Sequence, residues 1–121
     1  MKFRHIAAVL FIAVLSQVLL QQGSLAQEKA EGKYEQGREL AFKKSKGNCL
    51  ACHMLDNGEL PGNSGPPLVQ MALRFPDRDI LRSQIWDASK INPATVMPPF
   101  GKHNILTEDE IDLVVDYLLS L

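Results

Sequence analysis

Residues 49–53 read Cys49-Leu50-Ala51-Cys52-His53, a C-x-x-C-H segment that places an imidazole directly after two thiols three positions apart. On a short helical turn both thiols face one side, and each can add to one vinyl group of a haem. The adjacent His53 is then directed at the iron from the same side. The pattern is that of c-type haem attachment. Three rivals use the same residues. A thioredoxin-like redox pair wants a βαβ context, and no alternating strand pattern is found. A structural disulfide is permitted in an exported chain. Zinc needs four ligands, and beyond Cys49, Cys52 and His53 only His103 remains outside the N-terminal segment.

The rest of the sequence sets the context. The chain has 121 residues, the length of one domain. Its 13 Lys and Arg balance 14 Asp and Glu, which lacks the basic footprint of a nucleic-acid binder. Residues 1–26 read as an export signal. Lys2 and Arg4 precede an apolar run from Ile6 to Leu20, and Ser24-Leu25-Ala26 forms a small-residue cleavage site. Cleavage is expected after Ala26. The run is short for a membrane span, which needs roughly 20 apolar residues. No cysteine follows it closely enough to carry a lipid. The mature chain is therefore expected to be periplasmic and free of the membrane. A core this small usually needs a staple or a cofactor, and a covalent haem supplies a large apolar body.

Residues 27–33 are polar and read as a flexible leader; the domain is expected over 34–121. Gly37, Leu40 and Ala41 share one helical face, with Gly47 as the expected stop. Pro66-Pro67 suits the start of a short helix bearing Leu68, Met71, Ala72 and Phe75. Asp77 is placed to cap a further helix with Leu81, Ile85 and Ala88 on its apolar stripe. Residues 91–106 have no period and contain three prolines, a long irregular loop of the kind that tends to be functional. Thr107 with Glu110 forms a capping box before Ile111, Val114, Val115 and Leu118. The fold class is all-α, with a helix at each end of the chain.

The sixth iron ligand must come from outside the C-x-x-C-H turn. Met54 is tethered to the His53 side, and Met71 lies on an apolar helical face. Met97 sits in Val96-Met97-Pro98-Pro99-Phe100-Gly101, where two prolines fix φ and stiffen the loop. Met97 is the leading candidate; His103 and an open position are the alternatives. Met/His ligation raises the reduction potential and leaves no vacant position for substrate, which favours electron transfer. A haem-ligating His usually donates its other ring N–H to an acceptor, and Pro66 can offer its carbonyl. Trp86 either donates to a haem propionate or packs in the core. Lys43, Lys44 and Lys46 either steer an acidic partner or form a solvated helix face. Gly37 is suited to close packing against the last helix, near Tyr117.

With these residues in view, the chain from about residue 34 resembles a class I cytochrome c. More closely, it resembles the SoxX family, the monohaem subunits of SoxAX complexes in bacterial sulfur oxidation. Lys46-Gly47-Asn48-Cys49-Leu50-Ala51-Cys52-His53, Gly65-Pro66-Pro67-Leu68 and Gln84-Ile85-Trp86-Asp87-Ala88 carry the resemblance. Arg74-Phe75-Pro76-Asp77-Arg78, and Met97-Pro98-Pro99-Phe100-Gly101 with Leu106-Thr107, are its most particular stretches. The resemblance implies N- and C-terminal helices packed together around one haem c. Cys49 and Cys52 would bind it, with His53 and Met97 as axial ligands. It also implies a heterodimer with a SoxA-like cytochrome, which couples thiosulfate to a cysteine of a SoxYZ-like carrier. This chain would accept the electrons and pass them to a downstream cytochrome. There is no third cysteine to carry sulfur, so catalysis by this chain alone is not expected.

Overall fold

The computed structural model describes residues 27–121; the signal-peptide reading of 1–26 lies outside them. Residues 33–121 form one compact unit. Helical backbone runs over 27–42, and its part within the unit, 33–42, is α1. The turns over 27–33 are helical and exposed, where composition alone suggested a loose leader. Gln, Glu, Lys and Ala are strong helix formers, so helix continues there without burying a face.

Five further helical elements follow among the described residues. A 3-10 turn covers Cys49–Ala51, α2 covers Met71–Arg74, and α3 covers Arg78–Trp86. A second 3-10 turn covers Ala88–Lys90, and α4 covers Glu108–Leu119. Among the described residues the only β-pairing is an isolated parallel bridge between Leu55 and Leu68. The fold of the described residues is all-α, as the sequence implies.

α4 is the centre of the core. Thr107 caps it reciprocally: its backbone N–H donates to Glu110 Oε2 at 2.9 Å, and Glu110 N–H donates to Thr107 Oγ1 at 3.2 Å. Glu108, Asp109 and Glu110 put negative charge on the positive end of the helix. Ile111, Val114, Val115, Tyr117 and Leu118 are buried. α1 meets α4 through Gly37, where an added Cβ would press into the Leu113 carbonyl and the Tyr117 Cβ. The Tyr34 and Tyr117 rings meet edge to face at 5.3 Å. The Tyr117 hydroxyl donates to Asp56 Oδ2, and burial pushes that phenol's pKa upward.

α3 lies against α4 and is fastened by ion pairs. Arg78 reaches Asp112 at 3.0 Å and Asp116 at 2.9 Å, and Arg82 reaches Asp112 at 3.0 Å and Glu108 at 3.1 Å. Asp77 caps α3 by accepting from Asp79 N–H at 2.9 Å.

Two boundaries differ from the sequence reading. The first helix ends at residue 42, and the left-handed residue that redirects the chain is Asn48, with φ 47°, not Gly47. Gly47 is needed for space: an added Cβ would meet the Leu40 carbonyl oxygen at 2.6 Å. The Pro66-Pro67 pair starts no helix. A residue before proline is steered out of the α region, so Pro66 stays extended. Leu68 then donates to the Met54 carbonyl at 2.8 Å, and α2 begins only at Met71. Ala72 is accordingly exposed.

Candidate haem-binding site

The C-x-x-C-H segment forms a single tight turn. Ala51 N–H donates to the Asn48 carbonyl, and Cys52 and His53 N–H both donate to the Cys49 carbonyl, at 3.1 and 2.9 Å. In a 3-10 turn positions i and i+3 eclipse, which sets Cys49 and Cys52 on one side. Both thiols are free. Burial pushes the Cys49 thiol up to about 11, so at neutral pH it keeps its proton.

The loop over 56–65 closes around this turn, with Gly62 N–H donating to the Leu50 carbonyl and Gly65 N–H to the Cys52 carbonyl. Gly65 lies flat against the imidazole. A Cβ there would stand 2.5 Å from His53 Nδ1 and 2.7 Å from Nε2. The next residue completes the arrangement, with His53 Nδ1 standing 2.7 Å from the Pro66 carbonyl oxygen. That carbonyl can only accept, so it fixes the ring's tautomer: Nδ1 carries the proton and Nε2 is left with a free lone pair. Nothing but glycine at 65 allows the chain to pass so close to the ring.

A cavity of about 430 Å³ opens beside the turn, within the size range of cofactor sites. Cys49, Cys52, His53, Pro66 and Met97 all line it. Core side chains from three helices complete the wall, among them Met71, Leu81 and Val114. Met97 is held by its own loop, its N–H donating to Thr95 Oγ1 at 3.1 Å. The residues fit a haem: two thiols for its vinyl groups, a nitrogen and a thioether for its iron, and apolar side chains for its ring.

Among the described residues the wall contains no Asp or Glu, and Arg74 is its one Lys or Arg. The sequence reading missed Arg74 as a site residue. Its Nη1 donates to the Pro67 carbonyl at 2.6 Å and approaches Met71 Sδ at 3.4 Å. It thereby braces the loop that holds His53. A cation facing a cavity without carboxylates suits a cofactor that brings carboxylates of its own. The available signal was its position, six residues after Gly65-Pro66-Pro67-Leu68.

Other candidates stand elsewhere. Trp86 is not on the cavity wall. Its ring packs on Gly101, with the Arg82 guanidinium 5.6 Å above it. The position at the end of α3 explains this: the loop returning from Met97 covers the ring. His103 is exposed and off the wall. Met54 is 46% exposed, whereas Met71 belongs to both the core and the wall. Lys46 pairs with Glu110 at 2.9 Å and Lys43 approaches Glu39 at 3.9 Å; Lys44 is exposed.

Comparison with known proteins agrees with this geometry. Residues 32–118 match the family described as cytochrome c oxidase, cbb3-type, subunit III. The chain belongs to that family. It is a monohaem c-type cytochrome domain, with haem c as its covalently attached cofactor and electron transfer as its activity. A protein of Azospirillum sp. (strain B510) named cbb3-type cytochrome c oxidase subunit CcoP is 34% identical over 89 residues, 61% of this chain and 27% of its own. An Aquifex aeolicus (strain VF5) protein named uncharacterized lipoprotein is 36% identical over 96 residues, 78% of this chain and 46% of its own. The chain thus spans less than half the length of each. Among the described residues no helix is long and apolar enough to cross a membrane.

Proposed function

We propose that this cytochrome c domain is the electron-accepting, SoxX-like subunit of a periplasmic SoxAX-type complex. The observation that carries the electron-transfer reading is the convergence of the Cys49–Cys52 turn, the Pro66-braced His53 and the proline-stiffened Met97 on one apolar cavity. In this reading Cys49 and Cys52 would hold haem c through thioethers, and His53 Nε2 and Met97 Sδ would bind its iron. Bound haem supplies reversible one-electron oxidation and reduction of its iron. The chain's own residues do the rest. Pro66 holds the imidazole in one tautomer and keeps it a strong donor. The Met97 thioether favours the reduced state. The apolar wall excludes water, and with His53 and Met97 both on the iron no position would be left there for a substrate.

The finer assignment rests on Arg74-Phe75-Pro76-Asp77-Arg78 and Met97-Pro98-Pro99-Phe100-Gly101, the stretches most particular to SoxX. The partners are then a SoxA-like cytochrome subunit, a SoxYZ-like carrier as the complex's substrate, and a downstream electron-accepting cytochrome. Thiosulfate coupling takes place on the partner, not on this chain. Export by residues 1–26, with cleavage after Ala26, puts the domain in the periplasm. The second reading is a free electron shuttle with no fixed catalytic partner; the relative named as an oxidase subunit makes a terminal oxidase the acceptor to test for it.

The test is purification of the tagged, haem-matured chain from its native host grown on thiosulfate. A stoichiometric second cytochrome, and reduction of this haem by thiosulfate only in the presence of that partner and carrier, supports the first reading. A lone monohaem protein oxidised directly by the host's oxidase-containing membranes supports the second.

A further inference from the structure

The loop that carries Met97 is closed at its base by a buried carboxylate. The Asp87 side chain is only 2% exposed, and its Oδ2 pairs with Lys102 Nζ at 3.1 Å. Its Oδ1 accepts from Ser89 N–H at 3.2 Å and from the Ser89 hydroxyl at 2.5 Å. One carboxylate therefore ties down both the turn that begins the loop and the residue that ends it. The backbone repeats the closure, since Gly101 and Lys102 N–H both donate to the Trp86 carbonyl, at 3.2 and 3.3 Å. Gly101 itself lies against the Trp86 ring, where a Cβ would overlap the indole. Residues 87–102 thus make an Ω-like loop with joined ends, and Met97 sits within it. Between those ends the loop's backbone bonds are short-range turns, such as Thr95 N–H to the Asn92 carbonyl. Within the loop Phe100 is buried in the core and Met97 packs against it, and the joined base fixes the ends between which both lie.

We infer that Asp87 is a positioning residue for the Met97 thioether, acting through its contacts to Lys102 and Ser89. The inference rests on Met97 being an axial ligand. A methionine on a loop closed at both ends is held at the iron by pre-organisation rather than by the strength of its own bond. When the Asp87–Lys102 clasp is lost, the loop samples more open positions and the fraction of protein with Met97 detached rises. An added ligand sees that fraction directly, because its apparent affinity scales with the population of the competent state. The cation reaching Asp87 is itself 57% exposed, so Lys102 is replaceable without opening the core.

The experiment uses the haem-loaded ferric protein and imidazole as the competing ligand. Imidazole affinity and the red-edge charge-transfer band of methionine-ligated haem are measured for wild type, Asp87→Asn, Lys102→Met and Lys102→Arg. Lys46→Met, which breaks the Lys46–Glu110 pair instead, controls for general loosening, and Met97→Ala sets the fully released limit. The expected result is imidazole binding about tenfold tighter in Asp87→Asn and Lys102→Met, with a weakened band and unchanged far-UV circular dichroism. Lys102→Arg restores both readouts, and Lys46→Met leaves them at wild-type values. Wild-type affinity and band in both clasp variants, alongside a clear change in Met97→Ala, overturns the inference while sparing the ligand assignment. A wild type that responds to imidazole as Met97→Ala does overturns the ligand assignment and the inference with it. If a single variant does not fold, the Asp87→Asn/Lys102→Met double variant, which leaves no unpaired charge, is read by the same criteria.

Discussion

Gly37→Ala separates this packing from a helix that is merely adjacent. Judged as an isolated helix, the change is favourable: alanine in place of an interior glycine gains about 1 kcal/mol in propensity. The structure gives the opposite sign. A Cβ at 37 would stand 2.8 Å from both the Leu113 carbonyl carbon and the Tyr117 Cβ, and would overlap the Leu113 carbonyl oxygen. Carbon atoms pack best at about 3.5–4.0 Å, so α1 and α4 must separate by roughly 1 Å. The obstruction is mainly backbone, which no rotamer change relieves. Overpacking of this kind costs about 3 kcal/mol at its upper range, leaving a net destabilisation of about 2 kcal/mol. For a domain of this size that lowers Tm by about 8–16 °C. Thermal unfolding of the haem-loaded protein, followed by far-UV circular dichroism, reads it directly. An unchanged or raised Tm would refute close crossing of α1 and α4 at Gly37.

The remaining predictions concern the site and its supports. Gly65→Ala pushes a Cβ into the His53 ring and breaks its contact with the Pro66 carbonyl; a weaker imidazole donor stabilises the ferric state less. The reduction potential should rise by roughly 40 mV, the equivalent of about 1 kcal/mol for one electron, in a spectroelectrochemical titration. Arg74→Gln removes the cation of the cavity wall, and the potential should fall by tens of millivolts, with Arg74→Lys falling less. Thr107 N–H and then the Lys46 ammonium hold the Glu110 carboxyl below its ordinary range. A lowered folded-state pKa stabilises above the unfolded value of about 4.3 and is lost as pH falls through the folded value. Glu110→Gln should therefore lower Tm at pH 7, and the deficit should shrink below about pH 4.

Much of the site was legible because its chemistry is local in sequence. Cys49, Cys52 and His53 are adjacent, and Met97 was singled out by the prolines beside it; the structure brings all four to one cavity. The cap at Thr107 and the α4 face were legible because both depend on spacing within one helix. What escaped notice depends on contacts distant in sequence. Trp86 was open to either a propionate or a packing role, and the contact that the structure gives it, Gly101 against its ring, comes from a loop 15 residues further on. Arg74 carried no local signal beyond its spacing from the proline pair. That Pro66-Pro67 starts no helix follows from the proline pair itself; that Pro66 meets His53 and Leu68 bridges Leu55 is what only the fold reveals. The polar turns at 27–33 were read from composition as loose, whereas their propensity makes them helical.

The central claim is that Met97 and His53 meet a haem held on Cys49 and Cys52. The most direct measurement is the proton NMR spectrum of the ferrous protein. An axial methionine lies over the haem ring, whose current shifts its methyl singlet far upfield. The account predicts one such three-proton singlet, lost in Met97→Ala and kept in Met71→Ala. A singlet that survives Met97→Ala, or a wild-type spectrum without one, would contradict it.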